Sequence, residues 1–67
     1  GVEEATRAAV DELRRLAWEV AEPAPKGTRF KISATRDQGA CTATMIVEPL
    51  GSRTSIVVYL GEGCPAP

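Results

Sequence analysis

Histidine is absent from the 67 residues of this chain, and only two cysteines are present. A structural zinc site usually needs four cysteine or histidine ligands, so this composition excludes one. The absence of histidine also removes the most frequent general base of enzyme active sites. Because the sequence contains neither an acidic calcium loop nor a glycine-rich phosphate loop, we predict a protein that is not an enzyme and uses no metal or cofactor.

Long apolar runs and an excess of one charge are also missing. No stretch approaches the roughly 18 apolar residues of a membrane-spanning helix, so we expect no membrane insertion. Eight basic and nine acidic residues give a net charge of −1, which argues against nucleic acid as a partner. Apolar residues still make up 43% of the chain, too many for a disordered segment, so residues 1–67 are predicted to form one small domain.

The N-terminal part of the chain has the pattern of an amphipathic helix. Apolar residues recur every three or four positions, which is the period of one helical stripe. The stripe consists of Val2, Ala5, Ala9, Leu13, Leu16 and Val20. Because Pro23 disfavours helical backbone at the residue before it, a helix is predicted over residues 2–22.

After Gly27 the apolar period changes to two, which is typical of half-buried strands. Strands are predicted at about 28–35, 41–48 and 54–61, joined by four-residue turns. Those loop lengths place Ala34 opposite Cys41 and Val47 opposite Ile56, with the larger apolar side chains on one face. That face carries Phe30, Ile32, Ala34, Cys41, Ala43, Met45, Val47, Ile56, Val58 and Leu60. The sequence therefore predicts a two-layer α+β fold, with one N-terminal helix packed on a three-stranded antiparallel meander.

One helix followed by three strands resembles the opening of double-stranded-RNA-binding domains. The resemblance would imply RNA binding that involves a second helix with a lysine cluster at its start. Neither feature is found in this sequence. We therefore keep the expectation that nucleic acid is not a partner.

The two cysteines are predicted to form a disulfide. The register puts Cys41 opposite Glu62, so Cys64 lies diagonally beyond on the same face, and a kink at Gly61 or Gly63 would bring the sulfurs together. Closing this loop of about 24 residues would stabilise the domain by about 3 kcal/mol. A disulfide implies a secreted or extracytoplasmic protein, whereas two reduced thiols would imply a cytoplasmic one.

The predicted outer face of the sheet carries an apolar cluster flanked by bases. Ile46 is expected opposite Val57, with Tyr59 nearby and with Arg29 and Lys31 beside them. These five residues are candidates for contact with a protein partner or a second copy, on this face or along a sheet edge. Strand propensity is the alternative explanation, because valine, isoleucine and tyrosine favour strands wherever they point.

Trp18 falls on the helix side opposite the apolar stripe. Tryptophan and arginine are enriched among binding hot spots, so Trp18 is a separate candidate for protein contact. Local packing is the alternative, with Pro23 and Pro25 folding over the ring while Arg14 or Arg15 stacks on it.

Our leading functional hypothesis is a non-catalytic, disulfide-stapled protein-interaction domain outside the cytoplasm. One alternative is a protease inhibitor that presents residues 49–53, with Leu50 and Arg53 as contact residues and with the hairpin and the disulfide holding the loop. The other alternative is a small-ligand-binding domain, because Ala9, Ala34 and Ala43 leave room for a pocket between helix and sheet.

Overall fold

A computed structural model describes residues 1–64, and the last three residues of the predicted domain lie outside the described part. Helix α1 spans Val2–Arg15. Five strands follow it, β1 (Glu19–Val20), β2 (Ala24–Lys26), β3 (Arg29–Arg36), β4 (Cys41–Leu50) and β5 (Arg53–Leu60). All strand pairs are antiparallel, in the order β1-β3-β4-β5, and β2 also pairs with β3. The predicted α+β fold is confirmed, with two short strands added to the three expected.

The helix is shorter than predicted, because it ends at Arg15 and not at Glu22. The Trp18 N–H donates to the Leu13 carbonyl and the Ala17 N–H to the Arg14 carbonyl, both at 3.0 Å. This pair of bonds is the Schellman motif, which places Ala17 in the left-handed region at φ 68°. Glycine usually occupies that position, so an alanine there conceals the helix end in the sequence.

The segment after α1 joins the sheet instead of continuing the helix. Val20 pairs with Ala34 in β3, and the Ala21 N–H donates to the Ser33 carbonyl at 3.0 Å. Further along the chain, Pro25 in β2 lies opposite Phe30. The two short strands β1 and β2 therefore occupy the same edge of β3.

The core lies between α1 and the middle of the sheet. Val10, Ile32 and Val47 form its buried centre. The partly buried side chains packed against it are Val2, Ala5, Ala9, Leu13, Val20 and Met45. Most of the predicted stripe therefore faces the core, and Val20 reaches it from β1. Leu16 does not, because it lies at the helix end and is exposed.

The two hairpins differ in how well their register was predicted. In β4 and β5, Val47 lies opposite Ile56 as predicted. In β3 and β4, Ala34 lies opposite Ala43 and not opposite Cys41, a shift of two positions. The loop starts one residue later than expected, since Arg36 still pairs with Cys41 and three successive residues, Asp37 to Gly39, have positive φ. A shift of two preserves the faces, because side chains alternate with period two.

Candidate functional site

Strand β5 is the part of the sheet that α1 leaves uncovered. Val47 in β4 is 0% exposed, whereas Ile56, directly opposite it on the same face, is 46% exposed. Val58 and Leu60, on that face of β5, are 52% and 61% exposed. The helix therefore leaves this part of β5 uncovered, although these three residues lie on the sheet face that the helix packs against. The reason is width, because a helix about 10 Å across covers roughly two strands spaced about 4.8 Å apart, and α1 packs mainly on β1, β3 and β4.

The opposite face of β5 is exposed as well. Val57 and Tyr59 point to the outer side of the sheet, and Tyr59 is 60% exposed. Strand β5 also forms the end of the strand order, so one of its backbone edges has no neighbour among the described strands. We call residues Ile56–Leu60 the β5 strip. It is an apolar strand segment open on both faces and along one edge.

The outer sheet face brings together the five residues singled out there from the sequence. Lys31, Ile46 and Val57 lie side by side on β3, β4 and β5, and Tyr59 lies opposite Thr44 on the neighbouring row. A shallow groove of about 360 Å³ runs across this face. Its lining residues are Lys26, Arg29, Phe30, Lys31, Thr44, Ile46 and Tyr59. Lys26 was missed by sequence reasoning, because β2 was expected to be part of a connector.

Charge on the outer face is concentrated at one corner, away from the β5 strip. Arg29 lies 3.9 Å from Glu48 on the neighbouring strand, forming an ion pair between exposed or partly exposed side chains. Lys26 lies opposite Arg29, so both belong to this corner. The apolar cluster is therefore flanked by cationic side chains on the β2–β3 side, and Arg53 lies on the same face at the start of β5.

A shifted pKa is found on the helix, far from this face in sequence. A hydrogen bond from Arg15 lowers the pKa of the Glu12 carboxyl below its ordinary value, and the same contact raises the pKa of Arg15. Both side chains are exposed on one turn of α1. Their interaction is a surface ion pair one turn apart on the helix, which solvent screens.

The predicted disulfide between Cys41 and Cys64 is present, with a Cα–Cα distance of 4.5 Å. It links the first residue of β4 to the segment that follows β5. Both glycines before Cys64 are needed for this approach, since a Cβ at Gly61 would collide with the Thr42 side chain and one at Gly63 with the Ala40 carbonyl. The bond therefore fixes the C-terminal end of β5 against the sheet.

Trp18 lies beyond the helix end, and its residue is only partly exposed. The guanidinium carbon of Arg36 lies 5.3 Å from the centroid of its ring, within cation–π distance. The stacking partner therefore comes from β3 and is neither Arg14 nor Arg15. Trp18 directly precedes β1 and is thus at the opposite side of the sheet from the β5 strip.

The hairpin proposed as an inhibitory loop is tight. Pro49 and Leu50 are paired with Thr54 and Arg53, so only two residues lie outside the ladder. Gly51 has φ 62°. The first of the two central residues of a type II′ turn requires such a positive φ. The disulfide lies at the far end of this hairpin, so it does not brace the turn as that hypothesis assumed.

A groove beside the helix differs from the predicted ligand pocket. It measures about 430 Å³ and is lined by Glu3, Thr6, Arg7, Val10, Asp11, Arg14, Glu22, Pro23 and Phe30. Ala34 and Ala43 are buried, and Ala9 packs against the core. The small side chains are therefore used for close packing of helix on sheet.

Two further features concern the described residues as a whole. Within residues 1–64, no group of three or more histidine, cysteine, aspartate or glutamate side chains is placed to hold a metal ion. Helix α1 is too short and too polar to cross a bilayer, and it is the only α-helix in that part of the chain.

Comparison of the chain with protein-family models, with curated proteins and with solved structures finds no match.

Proposed function

We propose that this domain is a non-catalytic protein-binding module that engages its partner through β5. The observation that carries the proposal is the β5 strip, whose five apolar side chains are exposed on both faces of the sheet beside a free backbone edge. Soluble monomers seldom leave a contiguous apolar surface of this kind next to unpaired strand backbone. A protein partner fits both features at once.

Residue composition supports a protein partner over a small ligand. Binding surfaces are enriched in tyrosine and arginine and depleted of charge at their centre. Tyr59 lies within the strip, and Arg29 lies at the charged corner of the adjoining groove. The uncharged stretch Thr54–Leu60 would form the centre of the contact, with the cationic corner at its rim.

The same proposal places the domain outside the cytoplasm, because disulfides persist in oxidising compartments. The Cys41–Cys64 bond supports this location. The measurement is the intact mass of the native protein after alkylation without reductant. We expect alkylation to leave the mass unchanged, because both cysteines are in the disulfide. Alkylation of both cysteines would contradict a location outside the cytoplasm.

The experiment that tests binding through β5 is site-specific photocrosslinking in the organism that makes the protein. A benzophenone amino acid replaces Tyr59 in one variant and Glu4 in a matched control. Glu4 lies on α1 with a side chain that is 93% exposed, so simple accessibility favours the control position. We expect a discrete protein adduct from position 59 and none from position 4.

Two results would contradict the proposal. One is the absence of any adduct at position 59, and the other is the same adduct pattern at both positions. The mass of the adduct also identifies the partner as another protein or a second copy of this chain.

A further inference from the structure

We propose that β5 pairs with β5 of a second copy, antiparallel and about a twofold axis, to form a reversible homodimer. The inference rests on the proposed function and specifies its partner. It follows from which backbone groups face the free edge, from where the charges lie, and from the exposure of both faces of the strand.

The backbone groups at the free edge are identified by the pairing of β5 with β4. The Gly61 N–H donates to the Thr42 carbonyl at 2.9 Å, which extends the β4–β5 register by one pair. In an antiparallel pair, residues alternate between those bonded to the neighbour and those facing away. Tyr59 and Val57 therefore bond to β4. The residues whose N–H and C=O groups face the free edge are Thr54, Ile56, Val58 and Leu60.

An antiparallel copy of β5 matches these groups to themselves. With Val57 on the twofold axis, Thr54 lies opposite Leu60 of the second copy, and Ile56 lies opposite Val58 of the second copy. Each of the edge-facing residues then meets another edge-facing residue, as an antiparallel ladder requires. The whole stretch from Thr54 to Leu60 is used, and the contact is the same from both sides.

Charge selects the antiparallel orientation. Residues 54–60 carry no charge, while Arg53 precedes them and Glu62 follows them. Neither side chain forms an ion pair with another residue in the described range 1–64. Antiparallel pairing places Arg53 opposite Gly61 of the second copy, one residue before Glu62, so that opposite charges lie at both ends of the contact. A parallel in-register arrangement would instead place Arg53 beside Arg53 and Glu62 beside Glu62.

This one arrangement adds apolar contacts on both faces of the strand. Directly paired residues point to the same side of a sheet, so the apolar residues of the two copies become neighbours on each side. Ile56 and Val58 meet on the helix side, and Val57 meets Val57 of the second copy on the outer side. A partner resting on one face alone would contact the side chains of that face only and would leave the backbone edge of β5 unpaired.

The geometry also limits the assembly to two copies. The other edge of the sheet is formed by two short strands, β1 and β2, and Pro25 in β2 has no N–H to donate. The contact buries a single strand edge and its side chains, which places it at the small end of specific interfaces. We therefore expect a dimer that dissociates on dilution.

The test is sedimentation equilibrium of the oxidised chain up to about 1 mM, a range that detects even weak dimers. We expect the wild type to dimerise and both Arg53→Glu and Glu62→Arg to weaken the dimer at least tenfold, because each places like charges together at both ends. An equimolar mixture of the two variants restores opposite charges at both ends, so it should form a heterodimer of about wild-type affinity. Glu19→Arg, the same charge reversal as Glu62→Arg but at an exposed position of β1 on the opposite edge, is the control and should dimerise normally.

The dimer proposal is overturned by a wild type that stays monomeric at about 1 mM, by open-ended assembly, or by a mixture that associates no better than its components. These failures are distinct from failure of the proposed function. If the wild type is monomeric but position 59 still crosslinks to another protein, the proposed binding role of β5 stands and only the self-pairing is rejected. A monomeric chain without any adduct loses both.

Discussion

The two edges of the sheet are built in opposite ways. On one side, β3 is covered by two short strands, Glu19–Val20 and Ala24–Lys26, separated by a break that contains Pro23. On the other side, β5 is eight residues long and is paired with β4 at every residue from Arg53 to Leu60 without a bulge. The first edge carries charges and prolines, whereas the middle of the second carries neither.

The two edges differ in how well they are protected against pairing with other strands. Natural proteins shield free strand edges with prolines, charged side chains, bulges or short strands, because an unprotected edge recruits other strands. The β1–β2 edge has three of these features and the β5 edge has none in residues 54–60. The same strand is also left uncovered by α1. Both observations single out β5 as the strand available to a partner.

The largest expected effect comes from removing the disulfide that anchors β5. Replacing both Cys41 and Cys64 by serine should lower the free energy of unfolding by about 3 kcal/mol, because the bond closes a loop with a sequence separation of 23. The measurement is urea denaturation of the wild type and the double variant. Reductant should destabilise the wild type alone. Equal stability of the two proteins would show that the bond does not constrain the unfolded chain.

A proline scan distinguishes the inner and outer backbone groups of β5. Val57→Pro removes an N–H that bonds to β4 and should cost about 2–3 kcal/mol. Val58→Pro removes an N–H that faces the free edge and should cost under about 1 kcal/mol. The measurement is chemical denaturation at concentrations low enough to keep the chain monomeric. Equal costs for the two variants are incompatible with the assigned direction of these groups.

A pair of valine truncations tests how far the core extends across the sheet. Val47→Ala removes methyl groups from a fully buried site in β4 and should lower stability by about 2 kcal/mol. Val58→Ala makes the same change on the same face of β5 and should cost about 0.5 kcal/mol in the monomer, because that side chain is half exposed. The two free energies of unfolding are measured in parallel. A cost at Val58 as large as that at Val47 would place β5 inside the core.

The smallest effect concerns the transition from α1 to the protected edge. Ala17 has left-handed backbone, which is unfavourable for a residue with a Cβ. Ala17→Gly should therefore stabilise the domain by about 0.5–1 kcal/mol, and thermal denaturation should show a higher midpoint. Ala21→Gly, whose backbone φ is not positive, is the control and should not stabilise. Destabilisation by Ala17→Gly would contradict the Schellman ending of the helix.

Local patterns in the sequence were sufficient to predict the three long strands and their faces, but not the short strands β1 and β2. Alternation placed Ile32 and Val47 on the covered face, and parity held even where the β3–β4 register shifted by two. The same alternation placed Cys41 and Cys64 on one face of the sheet and so predicted the disulfide. The helix end was not predictable in this way, because the stripe continued through Leu16 to Val20 while the chain had already turned at Ala17.

The candidate surface was predicted only in part. Ile46, Val57 and Tyr59 were assigned to the outer face from alternation, and they do lie there. Ile56 and Val58 were assigned to the same face as the buried residues and do lie there, but they are exposed. Exposure depends on what packs above a strand, and no residue within β5 encodes the position of α1.

Local spacing and chain connectivity were thus enough to predict the α+β order, the alternation of the three long strands and the pairing of Cys41 with Cys64. Three features became visible only in the packed molecule: α1 stops at Arg15, two short strands cover one edge, and β5 is left open on both faces. The width of the helix explains the last of these. A single helix is about as wide as two strands, so the placement of that helix fixes which strand of a wider sheet remains exposed.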